Sequence, residues 1–231
     1  METIEIGGIL CRVERSARRK RLAIRIGGDG TPELLLPMRM PLSDAIAFAE
    51  QHIDWMKTHS AEQTAIAEQS EALSYGGKLR VFGGEWTLVS REGDRVGYAE
   101  GCFYVPPGLN ADELRGAVVQ VYRLLAKNDI TARVRYWSGQ MGLSPVAVKI
   151  NSATSHWATC SKKDSLNFTW FCVMAEPEEI DYIVIHELCH MWEFNHSERF
   201  WALVEKWCPD YRRHKKNLDA LWKIIRSENW K

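Results

Sequence analysis

The most informative segment of the chain reads Asp181-Tyr182-Ile183-Val184-Ile185-His186-Glu187-Leu188-Cys189-His190. Its two histidines are four residues apart, and residues at that spacing lie on one face of an α-helix. Neutral imidazoles on one helical face are typical zinc ligands, and a catalytic zinc commonly has three protein ligands and a position for water. The segment therefore predicts a helix that presents His186 and His190 to a zinc ion.

Glu187 directly follows the first of these histidines. A carboxylate in this position can reach a water molecule near the metal without binding the metal itself, so we predict that Glu187 is the general base. A chain of this composition contains about 0.02 chance matches to the H-E-x-x-H pattern, which makes the pattern informative. The apolar residues around it indicate a mostly buried helix, where histidine and glutamate side chains need partners.

A third ligand has to come from outside the helix. His196 lies ten residues after His186, just past the predicted helix end, where Asn195 in a left-handed conformation would turn the chain back. His196 is therefore the first candidate. An acid further along the chain, Asp210 or Asp219, is the alternative, as in gluzincins.

Metzincins share this histidine spacing but differ in two other features. They have a glycine three residues after the second histidine, where this chain has Glu193. They also have a later methionine turn, and no methionine follows Met191 here. The sequence therefore excludes metzincin membership.

The C-terminal half is predicted to be mainly helical. Asn110 and Glu113 form a capping box that begins a helix reaching about Trp137, with a break near Asn128-Asp129. Two strands, 145–151 and 166–173, come next. The zinc-site helix starts at Glu176-Pro177 and ends near Phe194; a helix capped by Ser197 and a last helix around 218–225 follow. In zincins the strand before the active helix pairs with an extended substrate, which here would be Leu166–Val173.

The N-terminal half is predicted to be rich in β-structure. Residues 22–26 and 33–36 form a hairpin, a helix runs from Ser43 through Ala72, and short strands lie at 79–82, 86–89 and 102–105. The clearest composition break is Pro106-Pro107-Gly108. We therefore predict an α+β protein with an N-terminal β-rich portion, residues 1–105, and a zincin-like catalytic portion, residues 106–231.

The composition is that of an ordinary globular protein. The 231 residues include 30 Lys+Arg and 30 Asp+Glu, so the net charge is zero and argues against binding nucleic acid by bulk charge. The six cysteines include no C-x-x-C pair, and most of them are expected to be buried small hydrophobes. No apolar run approaches the roughly 18 residues of a membrane helix, and the acidic start Met1–Glu5 lacks a signal-peptide profile. A cytoplasmic protein without membrane partners is expected.

Two basic clusters, Arg15–Arg21 and Arg212–Lys216, are the remaining charged features. Either one can hold a nucleotide or DNA, although exposed charge without a partner is the commoner explanation of such runs. Tyr211 and His214 are candidates for stabilising an oxyanion.

Several segments together resemble the YgjP-like family of bacterial metal-dependent hydrolases, which is related to the SprT-like and Wss1-like metalloproteases. The resemblance rests on Asp181–His190, Asn195–Ser197, His156–Ser161, Leu166-Asn167 and the basic run Arg18–Arg21. It covers most of the chain. It implies that His186, His190 and His196 are the zinc ligands and that Glu187 is the general base.

The expected function is zinc-dependent hydrolysis of a peptide or protein substrate. Two alternatives remain open at this point. The YgjP name has also been attached to nucleoside-triphosphate pyrophosphatase activity, which the basic clusters would assist. Alternatively, the zinc is structural and the same clusters bring the protein to DNA.

Overall fold

The computed structural model describes residues 2–68, 73–228 and 230. The chain forms two compact units, Met1–Glu71 with Trp222–Lys231, and Ala72–Leu221. The predicted division after residue 105 follows a composition break instead and stays a prediction. Helices occur together with mixed sheets in the described residues, so the predicted α+β class is confirmed.

The first unit contains a four-stranded mixed sheet and two helices. Its elements are β1 (Glu2–Ile6), β2 (Ile9–Ser16), β3 (Ala23–Ile26), β4 (Pro32–Pro37), α1 (Leu42–Glu50) and α2 (Ile53–Glu68). The strand order is β1-β2-β4-β3, and β3 pairs antiparallel with β4, which confirms the predicted hairpin. Leu34 and Leu36 alternate along β4 and are buried in one cluster with Ala45 and Met56 of the helices.

The single helix predicted from Ser43 to Ala72 is divided into α1 and α2, and residues 69–72 lie outside the described residues. The His52 ring nitrogen Nδ1 lies 2.8 Å from the carbonyl oxygen of Phe48. The His52 backbone N–H donates to the carbonyl of Ala49 at 2.9 Å, one residue short of α-helical spacing. The chain winds more tightly at this point, so the helix is interrupted.

The remaining elements are four strands, a long helix, three further strands and then a helical C-terminal part. They are β5 (Lys78–Val81), β6 (Gly84–Ser90), β7 (Gly97–Ala99), β8 (Cys102–Val105), α3 (Ala111–Met141), β9 (Ala147–Asn151), β10 (Ala158–Cys160), β11 (Ser165–Thr169), a 3-10 helix (Trp170–Met174), α4 (Pro177–Cys189), α5 (Glu198–Trp207) and α6 (Tyr211–Ser227). The sheet of β5 to β8 has the order β5-β6-β8-β7, and the sheet of β9 to β11 has the order β10-β11-β9.

The long helix α3 begins as predicted, with the Asn110 side chain accepting from backbone N–H groups and Glu113 completing the capping box. The predicted break near residue 128 is absent. Arg133 pairs with Asp129 at 2.7 Å across one helical turn, which stabilises the helix there. The helix ends only at Gly142, whose φ of 68° is the left-handed conformation that glycine adopts readily.

Helix α4, which carries His186 and Glu187, begins with Pro177 in its first turn, as predicted. Its end differs from the prediction, since the last helical residue is Cys189 rather than Phe194. Asn195 is not among the described residues with positive φ, so the predicted left-handed stop is wrong. Ser197 caps α5 as predicted, because its hydroxyl oxygen accepts from the Phe200 backbone N–H at 3.3 Å.

None of the helices in the described part of the chain is both long and apolar enough to cross a membrane. The longest, α3, is amphipathic, with buried residues such as Val118, Val121 and Leu125 recurring at three and four positions.

Candidate metal centre

Helix α4 is anchored at its start by polar contacts to α3. The Arg133 guanidinium lies 2.8 Å from the Asp181 carboxylate, and Trp137 Nε1 donates to the same oxygen at 2.9 Å. Further along α4, Val184 and Leu188 are fully buried. These contacts hold the helix in place, so the polar residues between them are presented by a rigid element.

The structure brings together the three histidines that the sequence singles out. One ring nitrogen from each of His186, His190 and His196 lies within 4.8 Å of the others, and this is the one group of potential metal ligands found among the described residues. The Nε2 atoms of His186 and His196 are 3.2 Å apart. The Nδ1–H of His190 donates to the carbonyl of Glu193 at 3.1 Å, which leaves the lone pair of its Nε2 free.

Burial favours the neutral form of two of these imidazoles, those of His186 and His190. Burial, followed by the neighbouring His190, His196 and Lys215, lowers the pKa of His186 to about 3. Burial likewise lowers the pKa of His190. A neutral imidazole is the form that can bind a metal ion.

A single aromatic ring supports all three histidines. Phe200 of α5 is fully buried, and its ring centre lies 4.8, 4.4 and 4.8 Å from those of His186, His190 and His196. The Trp201 ring stacks on His196 at 5.6 Å. The cap at Ser197 fixes the start of α5, so it also fixes the distance between His196 and these rings.

Glu187 points away from bulk water. It is 6% exposed, and its Oε2 has no hydrogen-bond partner among the described residues. Burial raises the pKa of Glu187 to about 8, and a hydrogen bond with the Cys160 backbone partly offsets this. Cys160 is the last residue of β10, so the carboxyl group lies beside that strand.

The alternative acidic ligands lie elsewhere. Asp210 and Asp219 are both exposed, and neither belongs to the histidine group. Asp210 instead pairs with Arg213 at 3.4 Å.

A family model described as the YgjP-like metallopeptidase domain matches residues 20–221. The chain belongs to the YgjP-like metallopeptidase family. The crystal structure of the metallopeptidase zymogen of Pyrococcus abyssi abylysin is also similar, with 25% identity and a TM-score of 0.36, over 38% of this chain and 90% of that one. No curated protein matches the chain significantly.

The three-stranded sheet of this YgjP-like domain has β10 and β9 as its edge strands. The prediction that Leu166–Val173 pairs with the substrate is wrong. Its strand, β11, lies between β10 and β9, so both sides of the strand are already paired, and the rest of the segment lies in the 3-10 helix. The Thr169 N–H donates to Trp157, and the Ser161 N–H donates to Ser165. In an antiparallel pair, only every second residue of a strand exchanges backbone hydrogen bonds with the other strand. Ala158 and Cys160 lie between the bonded residues, so their backbone N–H and C=O groups point away from β11.

The two candidate oxyanion stabilisers are both buried. Tyr211 is stacked on Trp201 at 5.2 Å, and His214 is stacked on Tyr182 at 6.2 Å. The His214 Nδ1 has no hydrogen-bond partner among the described residues. Burial of both rings leaves the oxyanion role a prediction.

Arg15 of the first basic cluster lies in β2 and donates to the Met40 carbonyl, whereas Arg18–Arg21 lie in the loop after β2. Together with Ser16 and Glu14, the cations Arg18–Arg21 line an open hollow of about 510 Å³. This loop belongs to the first compact unit, and the histidine group belongs to the second.

Sequence reasoning missed β10 as a neighbour of Glu187. Its three residues lie in the polar stretch 152–165, where no hydrophobic period indicates a strand. The resemblance at His156–Ser161 was the signal that could have placed this segment near the site.

Proposed function

We propose that this metallopeptidase-family protein is a zinc-dependent peptidase with His186, His190 and His196 as ligands and Glu187 as general base. The observation that carries the proposal is the convergence of three imidazoles beside one buried carboxyl group. A cytoplasmic location remains a prediction from the sequence.

The donor set fits zinc. At Zn–N distances of about 2.0–2.1 Å, two nitrogens in a tetrahedral site are about 3.3 Å apart. The Nε2 atoms of His186 and His196 are 3.2 Å apart. A zinc ion held between the two rings would accept a lone pair from one nitrogen of each ring at this spacing.

Three protein ligands leave a fourth position free, which supports a catalytic over a structural zinc. A zinc ion held by the three histidines would supply a Lewis acid that makes the attacking water more acidic. Glu187 accepts the proton of that water and delivers it to the leaving amine, so one carboxyl group acts as base and then as acid. Its burial excludes bulk water from the proton transfer.

The open edge of β10 supports a peptide substrate. Ala158 and Cys160 direct backbone groups away from β11, and an extended peptide can add to such an edge by main-chain hydrogen bonds to the groups other than the Cys160 N–H, which donates to Glu187. The same edge lies beside Glu187, as the hydrogen bond with the Cys160 backbone shows. We therefore infer that the substrate backbone runs along β10.

The test is a screen of peptides and nucleoside triphosphates with the zinc-loaded wild type, Glu187→Gln and the control Glu178→Gln. Glu178 is exposed on the same helix. We expect Glu187→Gln to retain zinc and lose peptide turnover by roughly 10²-fold or more, with the control unchanged. Unchanged turnover in Glu187→Gln contradicts the mechanism, and release of pyrophosphate without peptide cleavage favours the nucleotide alternative.

A further inference from the structure

The second basic cluster contains one cation that faces the histidine group. Arg212 pairs with Glu205 at 2.7 Å, and Arg213 pairs with Asp210 at 3.4 Å. His214 is 5% exposed and packs against an aromatic ring. The positive charges of the two arginines are therefore already neutralised by acids of the same region.

Lys215 is placed differently. Its ammonium nitrogen lies 5.7 Å from the centre of the Trp201 ring, within the range of a cation–π contact. The described ion pairs include none for Lys215, so no described carboxylate lies within 4.0 Å of it. Its side chain is exposed, and no acid of the described residues pairs with its charge.

Trp201 connects this charge to the histidines. Its ring centre lies 5.6 Å from that of His196 and 5.9 Å from that of His186. The ammonium group therefore lies beside the site, one aromatic ring away from the ligands.

We propose that Lys215, held over Trp201, binds a carboxylate of the peptide substrate close to the scissile bond. An ammonium group with three donors and no acid partner pairs readily with a carboxylate at a partly desolvated surface. In a peptide the carboxylate belongs either to an acidic side chain or to the C-terminus. This inference rests on the proposed peptidase function and names a substrate class for it.

The experiment uses three quenched fluorescent peptides with one common sequence. The first is amidated and carries Gln near the cleaved bond, the second carries Glu at that place, and the third carries Gln and a free C-terminal carboxylate. Each is assayed with the zinc-loaded wild type, Lys215→Met and the control Lys216→Met. Lys216 is the neighbouring exposed lysine.

We expect the wild type and Lys216→Met to prefer one carboxylate peptide by roughly 2- to 5-fold in kcat/KM, the value for an exposed ion pair. The preferred peptide identifies the source of the carboxylate. Lys215→Met should lose the preference and keep its rate on the amidated peptide. No preference in the wild type, or an equal loss on all three peptides in Lys215→Met, overturns the proposal.

A binding measurement separates this inference from the peptidase function. The same three peptides, with a single fluorophore, are titrated with metal-free protein and followed by fluorescence anisotropy. Tighter binding of a carboxylate peptide by the wild type, lost in Lys215→Met, supports the subsite even if no peptide is cleaved. Equal affinity for all three peptides overturns it.

Discussion

Phe200→Ala tests whether the histidine group depends on its aromatic support. The Phe200 ring is fully buried and contacts all three imidazoles at centre distances of 4.4 to 4.8 Å. Truncation of a buried phenylalanine costs about 3–5 kcal/mol of the free energy of unfolding. It also removes the surface that orients the rings, so we expect zinc affinity to fall about 10- to 100-fold.

Zinc affinity is measured by competition with a chromophoric chelator, and the free energy of unfolding is measured by urea titration of the metal-free protein. Val204→Ala is the matched control, because Val204 is also fully buried in α5 but has no aromatic ring to pack on the histidines. We expect it to cost about 2 kcal/mol and leave zinc affinity unchanged. Phe200→Leu, which keeps most of the volume, serves if the alanine variant does not fold.

Comparison of the Phe200 and Val204 variants distinguishes a general loss of protein stability from a loss of histidine positioning. If Phe200→Ala and Val204→Ala lower zinc affinity equally, the effect is general destabilisation and the positioning argument is wrong. If neither Phe200 variant changes zinc affinity, the turn after α4 alone positions His196.

Two further predictions concern the third ligand and the basic loop. His196→Ala should lose zinc on dialysis, measured by metal analysis, whereas Asp210→Ala and Asp219→Ala should retain it. If His196→Ala retains a full equivalent of zinc, the third ligand is one of the two aspartates instead. Neutralising Arg18–Arg21 should leave peptide turnover nearly intact, because exposed charges are screened over about 8–10 Å at physiological salt. A wild-type salt slope on DNA of about −4 or steeper, lost in the neutralised variant, contradicts this and indicates DNA binding.

The local features of the site are predictable from the sequence because they depend on short-range geometry. The spacing of His186 and His190 fixes one helical face, and the capping residues at Glu176-Pro177 and Ser197 fix where α4 and α5 begin. The proximity of His196 also follows from its spacing, although the turn that achieves it has no left-handed Asn195.

The features that the sequence did not reveal depend on side-chain contacts or on pairing between distant residues. The division of α1 from α2 follows from the contact of His52 with the Phe48 carbonyl, and α3 stays continuous through the Asp129–Arg133 pair. β10 has three residues and exists because β11 pairs with it. A segment this short has no hydrophobic period of its own.

X-ray absorption at the zinc edge, recorded on the purified wild-type protein, tests the central claim most directly. Three histidine nitrogens at about 2.0–2.1 Å and one further oxygen from water are the result that the three-histidine site predicts. The chain carries six cysteines, all with free thiols, so thiolate ligation is a real competitor. A sulfur ligand at about 2.3 Å, or a spectrum with four protein ligands and no water oxygen, contradicts a catalytic three-histidine zinc.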